Sequence, residues 1–148
     1  MSKIAIGNDH AGVEMKYALK EHLEKRGYEV VNCGTDNTDS YDYPLAAKPV
    51  GELVRDKKVD FGVLICGSGV GISIAANKIK GIRAANVTCV EHAKLVKQHN
   101  NANIICFGAR FVTISSAIEY LDEYIKTEFE GGRHQRRVDE ITEIENKD

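Results

Sequence analysis

The chain has 148 residues, enough for one compact domain and too few for two ordinary ones. Its 43% hydrophobic and 28% charged residues describe a globular mixture rather than a disordered one. Twenty Lys and Arg against twenty-two Asp and Glu leave a formal charge of −2, which excludes a surface built mainly to hold nucleic acid or anionic membrane, so any anion site must be local.

The opening, MSKIAIGNDH, is broken by Gly7, Asn8 and Asp9 and predicts no signal peptide; no stretch approaches the roughly 18 apolar residues of a membrane span. Lys3–Gly7 predicts a first strand ended by glycine. Val13–Arg26 predicts a helix, with Val13, Tyr17, Ala18 and Leu23 near one face and Gly27 closing it. Tyr28–Val31 is the next strand, and TDNTDSYDYP, residues 35 to 44, is turn chemistry throughout. Residues 45–58 read as helix, with Pro49 and Gly51 leaving its start open. Val59–Cys66 is almost continuously apolar, as in a strand covered on both faces. Gly67–Gly71 turns the chain into a helical stripe over Ile72–Ile79 that stops at Gly81. Ile82–Val87 is a weaker strand signal, Glu91–Gln98 a helix and Ala102–Gly108 a buried strand. Ile114–Phe129 is the clearest helix, with Ile114, Ala117, Ile118, Leu121 and Ile125 on one face. After Gly131-Gly132, Val138, Ile141 and Ile144 recur every third residue, a short amphipathic helix able to pack on the body or on a partner.

Strand–helix alternation over the whole length implies a parallel sheet with helices on both faces, a single α/β/α sandwich over residues 1–148 with no linker or repeat. Ligands of such sheets lie beyond the carboxyl ends of the strands. Asp9-His10, Cys33, Cys66 through Gly71, Thr88-Cys89 and Gly108–Arg110 therefore fall on the binding rim. The four cysteines, at 33, 66, 89 and 106, form no C-x-x-C pair, and without a secretory signal they read as reduced thiols of the cytoplasm. There is no H-E-x-x-H and no Cys/His knuckle, so no metal is expected.

Cys66-Gly67-Ser68-Gly69-Val70-Gly71 is the strongest local signal. Alternating glycines let the backbone approach a ligand, and free N–H groups at a helix start attract an anion. The same field favours a thiolate at Cys66, a base or nucleophile. The loop is neither a phosphate-binding P-loop nor a G-x-G-x-x-G dinucleotide turn. The other reading is a tight turn around a structural cysteine. Asp9 can cap the following helix or face a ligand, and His10 can donate to a phosphate or a sugar hydroxyl. His99 and Asn100 close a helix; they either terminate it or supply an acid/base group near neutrality. Arg133, His134, Arg136 and Arg137 put four possible cations within five positions. On a helix, Arg133 and Arg137 stack one turn apart, repelling each other unless an anion lies between them, although a solvated basic face is also open. Arg110 can join from the rim. His22 and His92 read as structural or surface residues.

GNDHAG, DYP, ILICGSGVGISIAANK, QHNNANI, FGAR and EGGRHQRRV, in this order over essentially the whole chain, resemble the ribose-5-phosphate isomerase B family, the RpiB/LacAB class of sugar-phosphate isomerases. The resemblance implies a five-stranded parallel sheet of order 2-1-3-5-4 and interconversion of ribose 5-phosphate and ribulose 5-phosphate without metal or organic cofactor. It implies Cys66 as the base that moves a proton between C2 and C1 through a cis-enediolate, and His99 as the residue that assists ring opening. Gly67, Ser68, Gly69, Val70 and Gly71 would turn backbone N–H groups to the enediolate oxygens. Asp9, His10 and Asn100 match substrate-contacting positions, and Arg110, Arg133 and Arg137 phosphate-binding ones. Such a thiolate in a ring of fixed dipoles suits an aldose–ketose isomerisation.

Two positions bear on how far the resemblance carries. Ser68 stands where bacterial members of the family often have threonine, which bears on pocket width and sugar selectivity. Ala75-Ala76 fill the region where some members carry a glutamate base, so the cysteine-type mechanism is assigned. The family forms dimers or tetramers with shared active sites, which implies that His99 or the Arg133/Arg137 pair completes a partner's pocket. Isomerisation of allose, allose 6-phosphate or galactose 6-phosphate is the alternative within the class. A non-catalytic sugar-phosphate sensor is the alternative outside it, though a sensor needs neither Cys66 nor His99.

Overall fold

The computed structural model describes residues 2–147, in which the short β-branched runs become five parallel strands and the amphipathic stretches become helices. In chain order these are β1 (Lys3–Asn8), α1 (Val13–Lys25), β2 (Glu29–Asn32), α2 (Pro44–Arg55), β3 (Phe61–Cys66), α3 (Val70–Ala76), β4 (Ala84–Asn86), α4 (Val90–Gln98), β5 (Ile104–Gly108), α5 (Ile114–Lys126) and α6 (Arg133–Glu145). A single turn of 3-10 helix, His10–Gly12, joins β1 to α1. The sheet order is β2-β1-β3-β5-β4, as the family resemblance implies. Its register aligns the carboxyl ends, with Asn8 opposite Ile65 and Cys66 opposite Gly108.

The pleat sorts the strand residues into two cores. Ile4, Ile6, Val63, Ile65, Ile105 and Phe107 face Leu19 and Leu23 of α1, Ala93 of α4 and Leu121 and Tyr124 of α5. Ala5, Leu64, Cys66, Ile104 and Cys106 face Ala46 and Val50 of α2 and Ile72 and Ala76 of α3. Each fully buried large apolar side chain contributes about 1.5–3 kcal/mol of burial free energy. Tyr124 meets Phe61 edge to face at 5.1 Å and donates its hydroxyl to the Ala102 carbonyl at 2.5 Å.

Several expected boundaries and faces are corrected. Val59 and Asp60 precede β3, β4 shrinks to three residues, and α3 runs Val70–Ala76 rather than to Ile79. On α1 the stripe facing the sheet is Met15, Leu19 and Leu23, one turn apart, while Tyr17 is 46% exposed. Lys16 is fully buried, a position that apolar periodicity assigns to no charged residue. On α6, Val138 packs against the body but Ile141 and Ile144 stay exposed. No helix among the described residues is long and apolar enough to cross a membrane.

Candidate active site

Three strand ends build a cavity of about 390 Å³ lined by Asp9, Tyr43, Cys66, Gly67, Ser68, Gly71, Arg110 and Phe111. That volume suits a small-molecule ligand. Cys66 ends β3 with 4% of its surface exposed, and Gly69 N–H donates to its Sγ at 3.2 Å. This contact becomes possible because Gly69 adopts φ +80°, folding the loop back over the sulfur. Of the five loop amides, two are committed within the loop: Gly69 to Cys66 Sγ and Val70 to Ser68 Oγ at 3.1 Å.

The space around that loop is measured out in glycine. A Cβ on Gly67 would come to 2.9 Å from Arg110 Nη1, and one on Gly71 to 2.8 Å from Tyr43 Cζ. The guanidinium and the phenol ring thus lie directly against the loop backbone. A Cβ on Gly69 would run into the Asn86 side-chain oxygen and come to 3.0 Å from Gly108 N. Gly69→Ala should therefore lose about 1–3 kcal/mol of stability, and turnover with it. Chemical denaturation checks this; an unchanged midpoint would show room that the structure denies.

Asp9 caps the 3-10 turn, its Oδ1 accepting from Ala11 N–H at 2.9 Å, and lines the cavity as well. His10 follows on the same rim. Its Nδ1 lies 3.1 Å from the Tyr41 N–H and 3.3 Å from the Tyr41 carbonyl, so the Tyr41 main chain fixes the ring. Tyr43 and Phe111 were not foreseen as cavity residues. Tyr43 stands just ahead of Pro44, the first residue of α2, and the DYP triplet was its only trace in the sequence. Phe111, 77% exposed, gave no signal.

The remaining expected site residues stand elsewhere. Helix α4 runs back along the sheet, so His99 and Asn100 emerge at its amino end. There Arg83, just ahead of β4, donates to the Asn100 carbonyl at 3.2 Å and to Asn101 at 2.9 Å. The α5–α6 connection reaches the same end, with Glu130 N–H donating to Gln98 O at 2.9 Å. His134 then stacks on His99, ring centroids 4.2 Å apart and planes 7° from parallel. Exposed Arg133 and Arg137 lie one turn apart beside them. β5 alone rises roughly 13 Å between its ends. Within one chain, His99, Asn100, Arg133 and Arg137 therefore do not meet Cys66.

Of the four possible cations, His134 is the one that is not exposed. Its side chain is turned inward, and burial, followed by the neighbouring His99, holds its pKa below the ordinary histidine value. Its Nε2 has no hydrogen-bond partner, although Glu130 Oε1 lies 3.4 Å away. His99, Glu130 and His134 bring their ligand atoms within 4.8 Å of one another. Near-parallel rings keep their lone pairs in separate planes, however. A cation within about 2.1 Å of both nitrogens would lie far out of each ring plane, so this stack is not a preformed chelate.

All four thiols are free, and burial raises the pKa of Cys33 and, far more, of Cys106. His22 bridges α1 to Asp122 of α5 at 2.8 Å, the structural role expected of it. A larger groove of about 590 Å³ runs between α6 and the β4 region, with Ile82, Ile141 and Ile144 in its lining. It contains neither Cys66 nor Asp9.

A family model described as Ribose/Galactose Isomerase matches residues 4–141. Ribose-5-phosphate isomerase B of Escherichia coli (strain K12) is 48% identical over 149 residues, covering 99% of each chain. The solved ribose-5-phosphate isomerase B of Clostridium thermocellum superposes with a TM-score of 0.97 at 48% identity, covering 98% of both chains. That of Mycoplasma genitalium, solved with bound ribulose-5-phosphate, gives 0.94 at 43% identity over 99% of this chain and 97% of the other. The chain belongs to the ribose/galactose isomerase family, in its ribose-5-phosphate isomerase B branch.

Proposed function

We propose that the chain interconverts D-ribose 5-phosphate and D-ribulose 5-phosphate. The observation that carries the reading is Cys66 Sγ at the end of β3, holding the Gly69 N–H inside a cavity that also contains Asp9 and Arg110. In the open-chain aldose, the thiolate takes the proton from C2 as the C1 carbonyl oxygen gathers negative charge. The same sulfur returns that proton to C1 while the C2 hydroxyl proton passes to the C1 oxygen, which leaves a C1 hydroxyl and the new C2 carbonyl. One base acts on adjacent carbons, and loop amides stabilise the cis-enediolate between them. His10 and Arg110 hold the substrate from the rim of the same chain.

His99, Asn100, Arg133 and Arg137 act, in this reading, in the cavity of a second copy. Their distance from Cys66 within the chain, and their grouping at the opposite end of the sheet, support a homodimer or a tetramer built from such pairs. His99 then assists opening of the furanose ring, and the two arginines clamp the phosphate. The exposed Ile141 and Ile144 give α6 an apolar face for the neighbour. Four free thiols fit the reducing cytoplasm.

The test is conversion of ribose 5-phosphate by the purified chain with and without EDTA. The expected outcome is equal turnover in both. Turnover only of allose 6-phosphate or galactose 6-phosphate would move the substrate within the family. Binding without turnover of any aldose phosphate would leave a sensor.

A further inference from the structure

We propose that Lys16 is a positioning residue for this site: its buried ammonium pins the 33–43 segment, so that the Tyr41 main chain orients His10 and Tyr43 closes over Gly71. The inference deepens the isomerase reading and rests on it for the roles of His10 and Tyr43.

Burying a lysine is costly unless all three N–H donors find partners. Lys16 Nζ, with no exposed surface, donates to the Thr35 carbonyl at 2.6 Å and to Asp36 Oδ1, and lies 4.6 Å from the centre of the Tyr17 ring. Two acceptors and an aromatic face thus surround the ammonium, and the helix spends a core-facing position on it.

The partners all belong to, or border, one segment. The Thr35 carbonyl also accepts from Asn8 Nδ2 at 3.0 Å, so both of its lone pairs are used, one from α1 and one from the end of β1. Gly34 closes on Asn8 so tightly that a Cβ there would run into the Asn8 side-chain oxygen. Asp36 is held further by Asn32 Nδ2 at 2.8 Å. From this anchored base the chain runs through a hydrophilic stretch with no strand or helix to Tyr41 and Tyr43. Those two residues deliver its contacts with the site: the amide on His10 Nδ1 and the ring beside Gly71. Residues 36–40 are exposed and Tyr41 is the first side chain beyond them to pack against the core, so the placement of the stretch leans on the anchor.

Lys16→Met keeps the length and removes the charge. In this variant KM for ribose 5-phosphate should rise by about tenfold with kcat within about threefold, because His10 contributes binding shared by ground state and transition state. Amide exchange over residues 37–43, Tyr41 N–H included, should accelerate while that of β1, β3 and β5 does not. A general loss of folding would instead accelerate exchange throughout. Should Lys16→Met fail to fold, Asp36→Ala, which removes the exposed partner, decides the matter: it should raise KM several-fold with the same confined exchange. Unchanged KM and unchanged loop exchange in whichever variant folds would overturn the proposal. A wild-type chain that turned over no ribose 5-phosphate would refute the isomerase reading alone, since the exchange pattern still reports the pin.

Discussion

Replacing Cys66 by alanine should lower kcat for ribose 5-phosphate isomerisation by roughly 10²–10⁴-fold, the contribution of a positioned base. Binding of ribulose 5-phosphate should persist, because Asp9, His10 and Arg110 are untouched by the change. Alanine also strands the Gly69 N–H, which now donates to Sγ, and a buried donor left unpaired costs about 1–3 kcal/mol. Cys66→Ser separates the two effects. Its hydroxyl can keep the Gly69 contact and so the fold of the loop, yet it is a far poorer base at neutral pH than a thiol. Both variants should therefore be inactive, with only the alanine one destabilised. Full activity in Cys66→Ser would move the proton transfer to Asp9, the other base in the cavity.

This assignment leans on information that local sequence carries well. A strand that ends in Cys66 and passes through alternating glycines into α3 is written within ten consecutive residues. Gly69 and Gly71 mark the points where backbone and neighbouring side chains come too close for a Cβ. Asp9, His10 and Arg110 follow strands, so a parallel sheet with aligned ends brings them to the same rim without further information.

What local pattern does not carry is the pairing of distant segments. His99 stacks on His134 across thirty-five positions because α4 and the α5–α6 connection end at the same edge of the sheet, and neither helix announces the other. Lys16 likewise carries no local sign of burial: Thr35 and Asp36 of a distant segment accept from its ammonium, beside the Met15–Leu19–Leu23 stripe that α1 turns to the sheet. Periodicity counts apolar residues. It is blind to a buried ion whose hydrogen bonds all come from another part of the chain. The strand order was legible only through family resemblance, since alternation of strands and helices is compatible with several parallel orders.

The division of site residues between the two ends of the sheet leads to the second large effect. Neither Cys66→Ala nor Arg137→Ala chains alone should isomerise ribose 5-phosphate at a useful rate, the first lacking the proposed base and the second half of the proposed phosphate clamp. A pair made of one chain of each kind contains one cavity with both defects and one with none. When the two variants are unfolded together and refolded at equal concentration, random pairing makes about half of the pairs hybrids, each with one of two sites intact, so about a quarter of wild-type activity should return. Hybrids isolated through two different tags should reach about half. If Arg137 instead served the cavity of its own chain, every chain in the mixture would remain defective and no activity would return. The arrangement favours the first outcome on geometric grounds: Arg137 would have to cross the roughly 13 Å rise of β5 to reach its own Cys66, farther than an extended arginine side chain extends. Arg133→Ala should complement Cys66→Ala in the same way, because Arg133 stands one turn from Arg137 on the same helix face. Asp9→Asn should not, because its carboxylate and Cys66 line one cavity of one chain.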